Sequence, residues 1–140
     1  MSEKKIVLFV DDRPENLFGF IDAIKDNGYQ PEWVESLDEA VLFLKEKEQE
    51  IIGVVIDLLI PGLSEIDNYQ KYYKVTINQG QSLGLYMREH YTDIPYFYFS
   101  SVIKSYSRPD SLTEQEPVES KYTMNSEHFY EYCKKHFGVK

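Results

Sequence analysis

A single cysteine, Cys133, occurs among the 140 residues, which rules out an internal disulfide. Neither it nor His90, His128 and His136 falls into a zinc-ligand spacing, so a structural zinc site has no ligand set. Basic residues are scarce, with 15 Lys and Arg against 24 Asp and Glu for a formal charge of −9. That balance provides no electrostatic footprint for nucleic acid and disfavours an anionic membrane surface. Long apolar runs are missing as well. None approaches the ~20 residues a spanning helix needs, and Met1 to Lys5 leads into a short strand-like run rather than a signal-peptide core. A reducing cytoplasm is the expected location. No glycine-rich phosphate loop, nucleophile elbow or internal repeat is present. Aromatics, by contrast, are plentiful: 8 Phe, 12 Tyr and 1 Trp, within an apolar fraction of 42%. That is enough to build one core, and the length suits one domain.

The apolar residues alternate between two periods. Ile6-Val-Leu-Phe-Val10 and Ile51-Ile-Gly-Val-Val-Ile56 are continuous runs of strand length, each stopped by acid, Asp11-Asp12 in one case and Asp57 in the other. Such runs belong to strands buried on both faces. Between them Leu17, Phe20, Ile21 and Ile24 recur at helical spacing, with Asp12 as a candidate cap, Pro14 near the first turn and Asn27-Gly28 as the stop. A short stretch at Glu32-Trp33-Val34 reads as a strand, and Ser36-Leu-Asp-Glu39 is a capping-box pattern opening a helix with Leu37, Ala40, Val41 and Leu44 on one face. From Gln79-Gly80 a third helix carries Leu83, Tyr86, Met87 and His90, and Ile94 to Phe99 is a fourth strand ending at Ser100-Ser101. Pro117 to Ser120 reads as a weak fifth strand. Ser126 is the expected N-cap of a last helix striped with Phe129, Tyr132, Cys133, His136 and Phe137. Strands alternating with helices predict an α/β protein with a parallel sheet covered on both faces.

Two stretches break the rhythm. Residues 63–78 are too long for an ordinary strand-to-helix loop and carry Tyr69, Tyr72 and Tyr73. Residues 101–116 should hold the helix between strands four and five, but Pro109 interrupts them, so that helix is expected to be short, displaced or missing. Eleven of the 12 tyrosines follow residue 68, which marks the second half as the contact-making half.

In an open parallel sheet, ligands bind beyond the carboxyl ends of the strands. Asp11, Asp12 and Asp57 stand at two such ends. Taken singly, each reads equally well as a helix cap or turn former. Together, if strands one and three are neighbours, two carboxylates ~5 Å apart at an effective dielectric of ~20 repel by roughly 3 kcal/mol, so the cluster calls for a cation, protonation or wide solvent spacing. Oxygen donors without His or Cys suit a hard ion, and Mg²⁺ is the expected one. Ser100 and Lys121, after strands four and five, bring a hydroxyl and an ammonium to the same edge.

With these residues in this order, the sequence resembles the receiver domain of two-component response regulators. The motifs are Val10-Asp-Asp12, Asp57-Leu-Leu-Ile-Pro-Gly62, Ser100-Ser101 and Lys121, and the resemblance runs from about Lys5 to Phe137 apart from the inserted stretch. It implies a doubly wound, flavodoxin-like five-stranded parallel sheet of strand order 2-1-3-4-5, with an insertion after strand three and a reduced or irregular helix four, residues 1–140 forming one receiver domain. It further implies that Asp57 is the phosphoacceptor, that Asp11, Asp12, Asp57 and the backbone carbonyl of Leu59 hold Mg²⁺, and that Lys121 and Ser100 contact the phosphoryl group. The donor would be a histidine kinase or phosphotransfer protein. Such a protein is a signalling phosphoacceptor rather than an enzyme with an external substrate.

The sequence departs from the family pattern in several places. Tyr122 follows Lys121 where the family usually has proline. Val118 stands where an aromatic switch residue is common, with Tyr122 or Tyr106 as candidate substitutes. Leu59 and Val102 are apolar where the family varies, which implies a slowly decaying phosphoryl state because apolar side chains position an attacking water poorly. The chain ends soon after the last helix, so output is expected through docking on a downstream protein, with the chain a monomer or weak homodimer. The alternative is a pseudo-receiver that binds proteins independently of phosphorylation. A phosphatase-like hydrolase is disfavoured by Leu59, which stands where that family carries its second acid.

Overall fold

The computed structural model describes residues 4–60, 78–109 and 112–138. Among the described residues, five strands and four α-helices follow in the order β1 (Ile6–Val10), α1 (Phe18–Asp26), β2 (Gln30–Val34), α2 (Leu37–Lys47), β3 (Ile51–Ile56), α3 (Gln79–His90), β4 (Tyr96–Ser100), β5 (Val118–Ser120) and α4 (Ser126–His136). All strand pairs are parallel and the sheet order is β2-β1-β3-β4-β5, as expected from the sequence. The continuous apolar runs become the three central strands, in which every residue of β1, β3 and β4 is buried. β2, half-exposed and carrying Pro31, takes an edge, where a missing N–H costs no ladder bond.

Strand alternation sorts these side chains into two cores. Leu8, Val10, Val54, Ile56, Tyr96 and Tyr98 face α2 and α3, where they meet Leu37, Leu44, Leu83 and Met87. Val7, Phe9, Val55, Phe97 and Phe99 face α1 and α4, meeting Leu17, Ile21, Ile24, Phe129 and Cys133. Phe129 is fully buried, its ring centroid 5.0 Å from those of Phe20 and Phe99 and 5.8 Å from that of Phe9. Truncating a buried aromatic of this kind costs about 3–5 kcal/mol.

The helix ends correct two expectations. Arg13 rather than Asp12 precedes the first turn, a one-turn 3-10 helix at Pro14–Leu17 leading into α1; its N–H donates to Asp11 Oδ1 at 2.8 Å, so the first acid does the local work assigned to the second. The N-cap of α4 is Asn125, whose side chain accepts from His128 N–H at 2.8 Å, and Ser126 is the first helical residue. His90 is the exposed last residue of α3, its ring centroid 4.7 Å from that of Tyr86. Ser36 caps α2 as expected, accepting from Glu39 N–H, and Gly28 closes α1 with φ of 89°. Of the tyrosines of the second half, Tyr86, Tyr96 and Tyr98 belong to the core, while Tyr69, Tyr72 and Tyr73 lie outside the described residues.

The insertion at 63–78 lies outside the described residues except for Asn78. Between β4 and β5, the helix present among the described residues is a single 3-10 turn at Ile103–Ser105. The connection is instead fastened by Glu116, whose buried carboxylate accepts from the Tyr96 hydroxyl in a short hydrogen bond, from that of Tyr98 at 2.9 Å and from that of Tyr106 at 3.5 Å. Arg88 Nε lies 3.6 Å from the same carboxylate. A buried carboxylate needs such partners. Burial still pushes Glu116 above its ordinary pKa, although the three hydroxyls and Arg88 oppose it.

Candidate functional site

The parallel ladder carries the acidic residues to one edge. The N–H of Asp11 donates to Val34 O at 3.0 Å and that of Asp57 to Val10 O at 2.9 Å, so each acid is the first residue past its strand and is still registered on its neighbour. The N–H of Lys121 is held in the same way, by Ser100 O at 3.1 Å. Strand parity then aims Asp11 and Asp57 to the α1/α4 side, in line with Phe9 and Val55. Ligand oxygens of Asp11, Asp12 and Asp57 lie within 4.8 Å of one another. Asp11 is buried, Asp57 partly so and Asp12 exposed.

Lys121 bridges two of these acids. Its Nζ stands 2.5 Å from Asp11 Oδ2 and 3.4 Å from Asp57 Oδ2. The side-chain exposures are 11% for Lys121, 3% for Asp11 and 12% for Asp57, so this pair is screened far less than a surface one. Burial raises the Asp11 carboxyl above the usual carboxylate range; the hydrogen bond and charge of Lys121 pull it down, and the Asp57 charge pushes it up again. Three carboxylates against the Lys121 ammonium and the Arg13 guanidinium leave acid in excess in the cleft if all are ionised. The donor set is oxygen-only and partly open to water, which fits a hard divalent cation that retains some of its hydration.

Lys121 reaches the carboxylates from a turn in which Tyr122 N–H donates to Ser120 Oγ at 3.1 Å and Thr123 N–H to Ser120 O at 3.3 Å. Among the described residues no peptide bond is cis, so the Lys121–Tyr122 bond is an ordinary trans one. Leu59, 44% exposed, lines the cleft, and Val102 is exposed to a similar extent.

Ser100 and Ser101 take different positions at the end of β4. Ser100 is buried on the opposite side of the sheet edge, and its hydroxyl accepts from Val102 N–H at 3.2 Å. Ser101, with Arg13 and Asn16, lines the acidic cleft instead. Alternation was the available signal: Phe97, Phe99 and Ser101 continue the side of the sheet that Asp57 continues on β3. Neither candidate aromatic faces the cleft. Tyr122 is 84% exposed, and Tyr106 packs on Tyr98, with ring centroids 5.9 Å apart.

No family model matches the chain, and no curated protein matches it significantly. Solved structures do match. A response regulator from Thermotoga maritima aligns over 96% of this chain and 98% of its own, with TM-score 0.65 and 17% identity. A response regulator receiver protein from Sinorhizobium medicae aligns over 98% and 97%, with TM-score 0.63 and 17% identity. A CheY-like receiver domain protein from Methanospirillum hungatei aligns over 97% and 95%, with TM-score 0.60 and 11% identity. The chain therefore has the fold of response-regulator receiver domains over nearly its whole length.

Proposed function

We propose that residues 1–140 form one receiver domain that takes a phosphoryl group on Asp57 from a histidine kinase or phosphotransfer protein. One observation carries the reading: three carboxylates at the ends of β1 and β3 share one ammonium, Lys121, which bridges Asp11 and Asp57. A carboxylate oxygen of Asp57 attacks phosphorus in line, the P–N bond of the phosphohistidine donor breaks, and the departing imidazole nitrogen takes up a proton. Mg²⁺, held by Asp11, Asp12, Asp57 and the Leu59 carbonyl, would supply charge neutralisation at the phosphoryl oxygens. Lys121 neutralises a second oxygen once it leaves Asp11. Ser100 would release the Val102 N–H to reach a third, with Ser101 already in the cleft. The protein acts only on its own phosphorylation state and signals by docking on a downstream protein target in the cytoplasm, as a monomer or weak homodimer.

The test is intact mass after incubation with Mg²⁺ and phosphoramidate, beside Asp57→Ala. A gain of one phosphoryl group that needs both Mg²⁺ and Asp57 supports the reading. No gain would favour the second reading, a pseudo-receiver acting as a phosphorylation-independent protein-binding module. That reading draws on the engaged hydroxyl of Ser100 and on Val118 at the usual aromatic position.

A further inference from the structure

The contacts at the start of α3 join the Asp57 cleft to the β4–β5 connection by a route that uses neither Ser100 nor an aromatic switch. Gly80 N–H donates to Leu58 O at 3.0 Å, and a Cβ on Gly80 would stand 2.0 Å from Asp57 O, so the first turn of α3 lies directly on the Asp57 backbone. The next residue, Gln81, is fully buried and points to the connection. Its Nε2 donates to Ser107 O at 2.6 Å, while its Oε1 accepts from Ser107 N–H at 3.3 Å and from Asn78 N–H at 3.3 Å. Asn78 Nδ2 donates in turn to Ser105 O at 2.5 Å. The Gln81 amide thus pairs with both backbone groups of Ser107, as a neighbouring strand would. These bonds satisfy polar backbone groups in a connection that has little helix of its own to satisfy them.

We propose that Gln81 is a positioning residue that couples occupancy of the Asp57 cleft to the conformation of residues 102–109, an inference that rests on the receiver reading of that cleft. The mechanical reason is the absence of slack. Movement of the Asp57–Leu58 backbone displaces Gly80, because no side chain intervenes between them. Gln81, one residue on, carries that displacement to Ser107 through two hydrogen bonds, and Asn78 carries it to Ser105. The Ser100 hydroxyl reaches only the first residue of that segment, accepting from Val102 N–H at 3.2 Å, whereas Asn78 and Gln81 hold its middle at Ser105 and Ser107.

The experiment uses the full chain with Mg²⁺ and beryllofluoride as the probe, with two independent readouts. The fluorine resonance of bound beryllofluoride reports occupancy, and amide hydrogen exchange of the 102–109 segment reports the connection. In the wild type, binding is expected to change exchange in that segment. Gln81→Ala is expected to keep the bound resonance and lose the exchange change. Gln81→Met keeps the side-chain length and removes both the donor to Ser107 O and the acceptor for Ser107 N–H, so it is expected to do the same and serves if the alanine variant fails to fold. A bound resonance with no exchange change in the wild type, or a full change in a folded variant, overturns the coupling and leaves the receiver reading standing. Absence of a bound resonance in the wild type overturns the receiver reading and the coupling with it.

Discussion

Replacing Lys121 by Met keeps the length and packing of the side chain and removes the one cation bridging Asp11 and Asp57. The three carboxylates then face one another within 4.8 Å, two of them little exposed. At an effective dielectric of ~20, each ionised pair at that spacing repels by roughly 3 kcal/mol. Removing one partner of a buried ion pair costs a similar ~3–5 kcal/mol. Protonation of Asp11, already favoured by burial, offers partial relief, so the loss should be larger at pH 8 than at pH 5. In a metal-free buffer at pH 8 the variant is expected to lose about 3 kcal/mol, or about 10 °C in Tm for a chain of this size. Mg²⁺ should return most of that, and should stabilise the variant more than the wild type because no lysine competes for Asp11. Urea unfolding followed by far-UV circular dichroism, in EDTA and in Mg²⁺, measures both effects. A loss under about 0.5 kcal/mol in EDTA, the range of ordinary surface substitutions, would refute the electrostatic reasoning. An equal gain from Mg²⁺ in the two proteins would refute the competition.

Other consequences can be checked separately. Gly80→Ala places a methyl against the Asp57 carbonyl, a backbone atom that cannot swing aside, so a Tm loss well beyond the ~1 kcal/mol spanned by helix propensities is expected, and an unchanged melt would contradict the close approach. Glu116 has its pKa raised in the folded state, so its contribution is complete below its ordinary value of 4.5 and is lost as pH climbs through the raised value. Urea midpoints of the wild type should therefore fall relative to Glu116→Gln as pH rises from 4.5; a relative rise would reverse the assigned sign. Leu59→Asn puts a polar amide at the cleft where an apolar side chain stands, and the decay time of the phosphorylated protein, followed by intact mass, should shorten; an unchanged decay would remove Leu59 from control of the attacking water.

The central strands were legible because β1 and β3 are apolar without alternation, a pattern that suits burial on both faces. The stripe from Phe129 to Phe137 marked α4 for a similar reason, since its spacing matches a helix turn. Caps were less legible. Asp11 and Asp12, or Asn125 and Ser126, are adjacent residues with the same capping chemistry, and backbone direction at the helix entrance chooses between them. The candidate cleft was mostly readable from acids at strand ends, yet the choice between Ser100 and Ser101 depends on strand parity at the last residue of β4. Glu116 and Gln81 gave no sequence signal. Their partners come from segments up to 28 residues away and meet only after β4 and β5 pair and α3 docks.

The most direct measurement is chemical identification of the phosphorylated atom. After phosphorylation with phosphoramidate and Mg²⁺, borohydride reduction converts an aspartyl phosphate to homoserine, and peptide mapping locates it. Homoserine at position 57 alone, dependent on Mg²⁺, is the expected result. Reduction at another acid, or none in a protein that has been exposed to donor and metal, would contradict Asp57 as the phosphoacceptor.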